Sequence, residues 1–373
     1  MKYSFALAAA LAVTSTSAYA GGLDRSGQPI GILFEQGNYA ELSLGYADPS
    51  LTGSDTLGNS ISNVGDSFFV LGAGVKADIN EQLSFAFLLD QPYGVDILYG
   101  GSPATTMLGG TNATADTVQL TGILRYKFAD RFSIYGGPSF LRAEGNIGLS
   151  GLAYGPISGY NADFAQDGGW GFVAGAAYEI PAIALRFAVT YRSSIDLDFA
   201  TTETIGGAPI APVTTTSSEI PESWTIDFQT GIAKDTLLFA SIRYVTWEDF
   251  TLIPAGLSGA VGAPTNLAEI DDATTYTIGV GRKFTDQFSG SLSFTYDEGG
   301  PDDLVSPLAP TNGSMALALG GRYQLSEKVR LSAGIRYTWF EDALPETGTP
   351  DTQRATFTNN DAISAGFKVG FNF

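Results

Sequence analysis

Apolar and polar residues alternate with a period of two along most of this chain. In the last stretch, Ile363, Ala365, Phe367, Val369, Phe371 and Phe373 share one face, and Ser364, Gly366, Lys368, Gly370 and Asn372 share the other. A strand presents successive side chains to opposite faces. Here one face is wholly apolar and the other is small or polar, as a strand between lipid and a lumen requires. A strand of a soluble sandwich also alternates, but its polar face looks at water and is rarely so rich in Gly. Val329, Leu331, Ala333, Ile335, Tyr337 and Trp339 oppose Arg330, Ser332, Gly334, Arg336 and Thr338 in the same way. So do Trp224, Ile226, Phe228 and Ile232 against Thr225, Asp227, Gln229 and Gly231.

The alternation predicts fourteen strands, over 38–47, 67–78, 82–91, 115–128, 131–144, 169–180, 183–200, 220–233, 236–253, 273–284, 287–298, 313–325, 328–342 and 361–373. The connectors alternate too. Short turns near Asn80-Glu81, Ala129-Asp130, Pro181-Ala182, Lys234-Asp235, Thr285-Asp286 and Ser326-Glu327 separate long loops at 48–66, 92–114, 145–168, 201–219, 254–272, 299–312 and 343–360. Outer-membrane barrels combine an even strand count with short periplasmic turns and long external loops. The expected fold is therefore all-β: a 14-stranded antiparallel transmembrane barrel of the bacterial outer membrane, with both termini at the periplasmic end. Tyr46, Tyr126, Phe128, Tyr178, Trp224, Trp247, Tyr323, Trp339 and Phe373 lie near strand ends and are expected in interfacial aromatic girdles.

Residues 1–20 have the form of a secretory signal. Lys2 supplies the charge, Phe5 to Val13 is a short apolar run, and Ala18-Tyr19-Ala20 is a small-x-small cleavage site, so the mature chain is expected to start at Gly21. No other apolar run approaches the ~18 residues of a membrane helix, which leaves a closed barrel as the only way to satisfy the backbone in lipid.

Composition narrows the function. Only 16% of residues are charged, whereas soluble domains carry about 25%. With no Cys and no His, disulfides, thiolate chemistry and a Ser-His-Asp hydrolase are excluded. The net charge of −20 rules out nucleic acid held through its phosphates, and solvated external loops account for the acid excess. No cofactor motif or catalytic constellation is found. Gly100-Gly101 and Gly109-Gly110 precede no helix and are loop punctuation.

Several segments resemble the FadL/TodX family of outer-membrane transporters. They are Gly21 to Gln28, Ile32 to Tyr39, the Thr246-Trp247-x-x-Phe250 element after Arg243-Tyr244-Val245, the Gln91-Pro92-Tyr93-Gly94 break, and Tyr178 to Pro181 leading through Leu185-Arg186-Phe187 to Tyr191-Arg192-Ser193-Ser194. The resemblance spans nearly the whole mature chain and implies the same fourteen-strand layout. It also implies passive uptake of long-chain fatty acids or other hydrophobic molecules, such as aromatic hydrocarbons. A ligand would be captured at external loops, enter the lumen beside an N-terminal hatch, and leave sideways through the wall. Residues 21–37 would be the hatch and 38–373 the barrel. At seventeen residues the hatch is short and lacks the family's Asn-Pro-Ala element, so gating does not carry over intact. The barrel-assembly machinery, outer-membrane lipid and lipopolysaccharide are the expected partners, and the protein is expected to be a monomer.

Three places could carry the function. Proline donates no ladder hydrogen bond, so Pro92, with Gly94 beyond it, either starts the second long loop or opens the wall. Strand parity turns Arg125, Arg186, Arg192, Arg243, Arg322 and Arg336 inward, with Arg192, Arg243 and Arg336 near mid-barrel. A guanidinium grips a carboxylate with two prongs, so these three either dock an acid headgroup or pair with Asp227, Asp297 or acidic loop residues. The loop 145–168 carries Leu149, Leu152, Tyr154, Ile157, Tyr160 and Phe164, apolar enough to be a capture groove. Ile32 and Phe34 of the hatch are expected to line an internal pocket. The rival reading is a general diffusion porin or a structural barrel without a specific ligand; a barrel enzyme is disfavoured by the missing His.

Overall fold

The structure, a computed structural model, describes residues 23–373. The expected signal and cleavage site lie outside the described residues. Fourteen antiparallel strands form one closed sheet. They are β1 (Tyr39–Ser50), β2 (Phe68–Asp78), β3 (Leu83–Asp90, resuming over Gly94–Leu98), β4 (Asn112–Phe128), β5 (Phe132–Leu149), β6 (Tyr160–Ile180), β7 (Leu185–Arg192, resuming over Ile195–Ile205), β8 (Thr214–Ile220, resuming over Ser223–Ala233), β9 (Thr236–Val245), β10 (Ala273–Lys283), β11 (Phe288–Asp297), β12 (Ser314–Gln324), β13 (Val329–Phe340) and β14 (Asp361–Asn372). β1 pairs with β14 from Tyr39↔Asn372 to Ser50↔Asp361, which closes the barrel.

The apolar faces read from the sequence point outward. Ile335 is 60% exposed, and Leu319, Ile363 and Phe367 are exposed beside it, while Arg330, Arg336 and Thr338 are buried inside. Stacked rings mark the end with the short turns: Tyr126, Phe128 and Phe132 follow one another at 6.5 and 5.9 Å, and Phe371 lies 6.3 Å from Phe373. Trp247 is not in a girdle. β9 stops at Val245 instead of running to 253, a 3-10 turn follows over Trp247–Asp249, and the indole is fully buried against Tyr93 and Phe250.

Above the membrane the pattern inverts. In lipid, the apolar positions of β6 face out, with Trp170 at 70% exposure. Higher up, its apolar positions Tyr160, Ala162 and Phe164 face in. Interruptions at 91–93, 193–194 and 221–222 shift the parity of β3, β7 and β8. Arg192 and Ile195 both face inward across one break, and Ser223 and Ile220 across another. The strands therefore extend well past the bounds predicted for them. β5 and β6 stay paired up to Leu149↔Tyr160, so the predicted loop 145–168 shrinks to 150–159.

Residues 23–38 lie inside the barrel. Ile30, Ile32, Leu33 and Phe34 are buried there against Ile123, Tyr135, Val173 and Ala188.

Candidate functional site

The lumen is divided by residues 23–34. Above them lies a chamber of about 80 Å³ with almost wholly apolar walls. Ala113, Ala115, Ile147, Phe164 and Phe199 line it from the strands, Leu23 from below, and Phe250, Leu252 and Leu267 from the top. Beside and below the hatch lies a cavity of about 280 Å³, faced by Thr and Ser of β10 and β11 and by several arginines.

Five of the six expected capture residues turn inward. Leu149, Tyr160 and Phe164 are strand residues buried in the outer apolar cluster, and Tyr154 and Ile157 are half-buried against it. Leu152 alone is open, at 47% exposure. Of the set, Phe164 lines the chamber. The expected loop is thus strand wall at Leu149, Tyr160 and Phe164, and remains loop at Leu152, Tyr154 and Ile157.

The three mid-barrel arginines border the lower cavity together with Ile32 and Phe34, but they are not equivalent. Arg243 donates from Nε to Asp24 at 2.8 Å and from a terminal nitrogen to Gln28 Oε1 at 3.2 Å. Arg192 donates to the Gln28 carbonyl at 3.1 Å. Both are therefore held by the hatch rather than by Asp227 or Asp297. Arg336, 7% exposed, has no hydrogen-bond partner at Nε or at one terminal nitrogen among the described residues. Phe34 lies between the guanidinium groups of Arg125 and Arg186, at 4.6 and 4.3 Å. Glu35 pairs with Arg330 at 2.8 Å. The anchors Asp24, Gln28 and Glu35 were not singled out from sequence. Their signal was the polar residues interleaved in an otherwise apolar segment.

Pro92 interrupts a strand rather than ending it. β2 pairs with β3 only over Ala73–Asp78, so Phe68–Gly72 has no β3 partner. The resumed half of β3 pairs with β4, from Gly94↔Asp116 to Leu98↔Asn112. The wall closes again above, at the Gly65↔Ile97 bridge. The hatch fills the break: Arg25 N donates to Pro92 O at 2.7 Å, and Gly94 N donates to Leu23 O at 3.0 Å. The Arg25 guanidinium lies 4.4 Å from the Phe68 ring and 3.3 Å from Asp116. A side chain at Gly94 would meet that guanidinium carbon at 2.3 Å, so the Arg25 side chain would have to move aside.

A closed outer-membrane barrel with an internal plug segment, a local break in its wall and an apolar chamber beside that break is the architecture of an outer-membrane transport protein. The chain belongs to the family described as outer membrane protein transport protein (OMPP1/FadL/TodX), whose model matches residues 38–373. It is 23% identical over 367 residues to the long-chain fatty acid transport protein of Escherichia coli O6:H1, covering 86% of this chain and 79% of that one. Among solved structures, a Pseudomonas aeruginosa FadL homologue superposes with a TM-score of 0.74 at 17% identity, covering 97% and 98% of the two chains. The Pseudomonas putida toluene transporter TodX superposes with a TM-score of 0.66 at 14% identity, covering 95% and 96%.

Proposed function

We propose that this protein carries hydrophobic molecules, long-chain fatty acids or aromatic hydrocarbons, across the outer membrane without an energy source or cofactor. The ligand reaches the apolar chamber from the external side. It leaves sideways into the bilayer between β2 and β3, at Pro92 and Gly94, when Leu23–Ser26 withdraws. The observation that carries the reading is the placement of the apolar chamber directly against the wall break: Tyr93, Gly94 and Val95 line both. An apolar solute there gains about 25 cal/mol per Å² of surface removed from water, and the Arg25–Asp116 pair that fills the break leaves its path when the hatch withdraws. Arg336, the mid-barrel arginine with unpartnered nitrogens, is the position for an acid headgroup that enters the lower cavity.

The test is uptake of a labelled long-chain fatty acid by cells lacking their own transporter, with this protein and with its Pro92→Ala, Gly94→Val double variant. The expected result is protein-dependent uptake that collapses in the double variant. Uptake that survives the double variant removes the sideways exit. A correctly inserted wild-type barrel that imports neither the acid nor an aromatic hydrocarbon removes the transporter reading.

A further inference from the structure

The apolar chamber is too small to receive a ligand as it stands. A cavity that holds one benzene measures about 150 Å³, and this one about 80 Å³. One wall must move. Most of the strand wall is laddered, from Asn112↔Gly148 in β4–β5 to Ile195↔Ile220 and Thr201↔Thr214 in β7–β8; the gaps are the break between β2 and β3 and the stretch of β6–β7 between Arg192↔Val173 and Thr201↔Phe164. The roof, residues 250–268 between β9 and β10, is built differently. It includes a short helix, α1 (Ala255–Val261), and supplies Phe250, Leu252, Leu267 and Ala268 to the chamber. Its hydrogen bonds are almost all internal: Leu252 N to Asn266 Oδ1 at 2.8 Å, Leu267 N to Leu252 O at 2.8 Å, Ser258 Oγ to Pro254 O at 2.8 Å. Apart from the local turn bond of Phe250 N to Trp247 O at its base, two hydrogen bonds tie the segment to the rest of the molecule among the described residues, and both end on one carboxylate. Gly256 N and Leu257 N each donate to Glu203 at 2.7 Å.

Glu203 stands on the inner face of β7, 1% exposed, and no salt bridge reaches it among the described residues. Its third donor is Tyr160 Oη, at 2.8 Å. A buried carboxylate is stable only with its oxygens fully hydrogen-bonded, so the carboxylate and the roof hold each other. The base of the roof is clamped separately: Asp272 accepts from Glu248 N at 3.0 Å and from the Tyr244 hydroxyl, which joins the two legs.

We propose that residues 250–268 are a hinged flap through which the hydrophobic ligand reaches the chamber, and that Glu203 is the positioning residue that latches it. This rests on the transporter reading above. The apolar contacts beneath the flap are non-directional and can be remade on a ligand. The two bonds to Glu203 cannot, so releasing them is the step that admits the solute. Gly256 fits the same role. A methyl group there would lie 2.7 Å from one Glu203 oxygen, so the carboxylate would have to shift from its two amide donors.

Two variants reach the latch from opposite sides, Glu203→Ala and Gly256→Ala. Amide exchange at residues 256 and 257, measured without ligand on the full-length barrel, should accelerate about tenfold or more in both. Initial uptake of labelled fatty acid should rise about threefold, chiefly in maximal rate rather than in half-saturating concentration. Glu203→Asp, which keeps the charge, should recover part of both effects. Unchanged exchange in both variants overturns the latch. Fast exchange with uptake at the wild-type rate overturns the flap as the way in, while leaving the transporter reading intact. A wild type that imports nothing fails the transporter reading, and the flap's role falls with it.

Discussion

The lumen has two halves with opposite chemistry. Above the breaks in β3, β7 and β8 the inner face reads Ile195, Leu197 and Phe199 on β7, and Ala113 and Ala115 on β4. Below them the same strands turn Arg186, Thr190 and Arg192, or Thr117, Gln119, Thr121 and Arg125, to the inside. The upper half is held by shape and dispersion, which suits apolar contents. The lower half is held by directional bonds between barrel arginines and the hatch. The wall break lies at the junction, where a molecule leaving the upper half meets lipid before it meets the polar half.

The largest effect is expected from breaking the lower half. Asp24→Ala leaves Arg243 buried without its counter-charge, and losing one partner of a buried pair costs about 3–5 kcal/mol. The hatch should come loose, and single-channel conductance in planar bilayers should rise many-fold over that of the wild type. A conductance that stays at the wild-type level would mean that the apolar contacts of Leu33 and Phe34 hold the hatch alone. Removing Arg336 sharpens the contrast. A hydrogen bond to a charged group is worth about 1.5–3 kcal/mol, so Arg336→Ala should raise the half-saturating concentration of an acid ligand about tenfold or more and leave that of a neutral hydrocarbon unchanged. An equal shift for both ligands would deny the lower half its charge selectivity. In the upper half, Ile147→Val should cost only about 1 kcal/mol in thermal stability, enlarge the chamber by one methyl group and shift preference towards bulkier apolar solutes; competition uptake measures this.

The smallest effect concerns the external loops. Burial raises the Glu346 carboxyl to about 7, helped by Asp351, Glu269 and Asp302 nearby. The unfolded chain ionises near 4.5, so as pH rises from there through about 7 the folded loop holds a proton that the unfolded chain has released. Stability fully present below 4.5 is lost across that window and changes no further above it. Limited proteolysis of the 341–360 loop should accelerate with pH over this range, and Glu346→Gln should flatten the dependence.

The sequence alone determined the barrel. Period-two alternation marked the lipid face of β12, β13 and β14, and the rhythm of short turns and long loops set the strand count and the orientation. Family membership was legible in dispersed segments of the mature chain. These are local signals: each strand in lipid must satisfy its own faces whatever its neighbours do. The site was only partly legible. Pro92 and the inward arginines could be named, because parity and the chemistry of proline are local too. Tertiary structure alone decided that Arg243 and Arg192 bind the hatch while Arg336 keeps unpartnered nitrogens among the described residues, since the partners of the first two lie 219 and 164 residues away. It also decided that both ends of the apolar stretch at 145–168 are wall and only 150–159 is loop. Once a strand rises out of lipid, its apolar face must turn from the bilayer to the lumen, and the breaks that make this turn look in sequence like the ends of strands. Glu203 was invisible for a related reason: it reads as a charge on a solvated loop until the fold lays residues 250–268 across it.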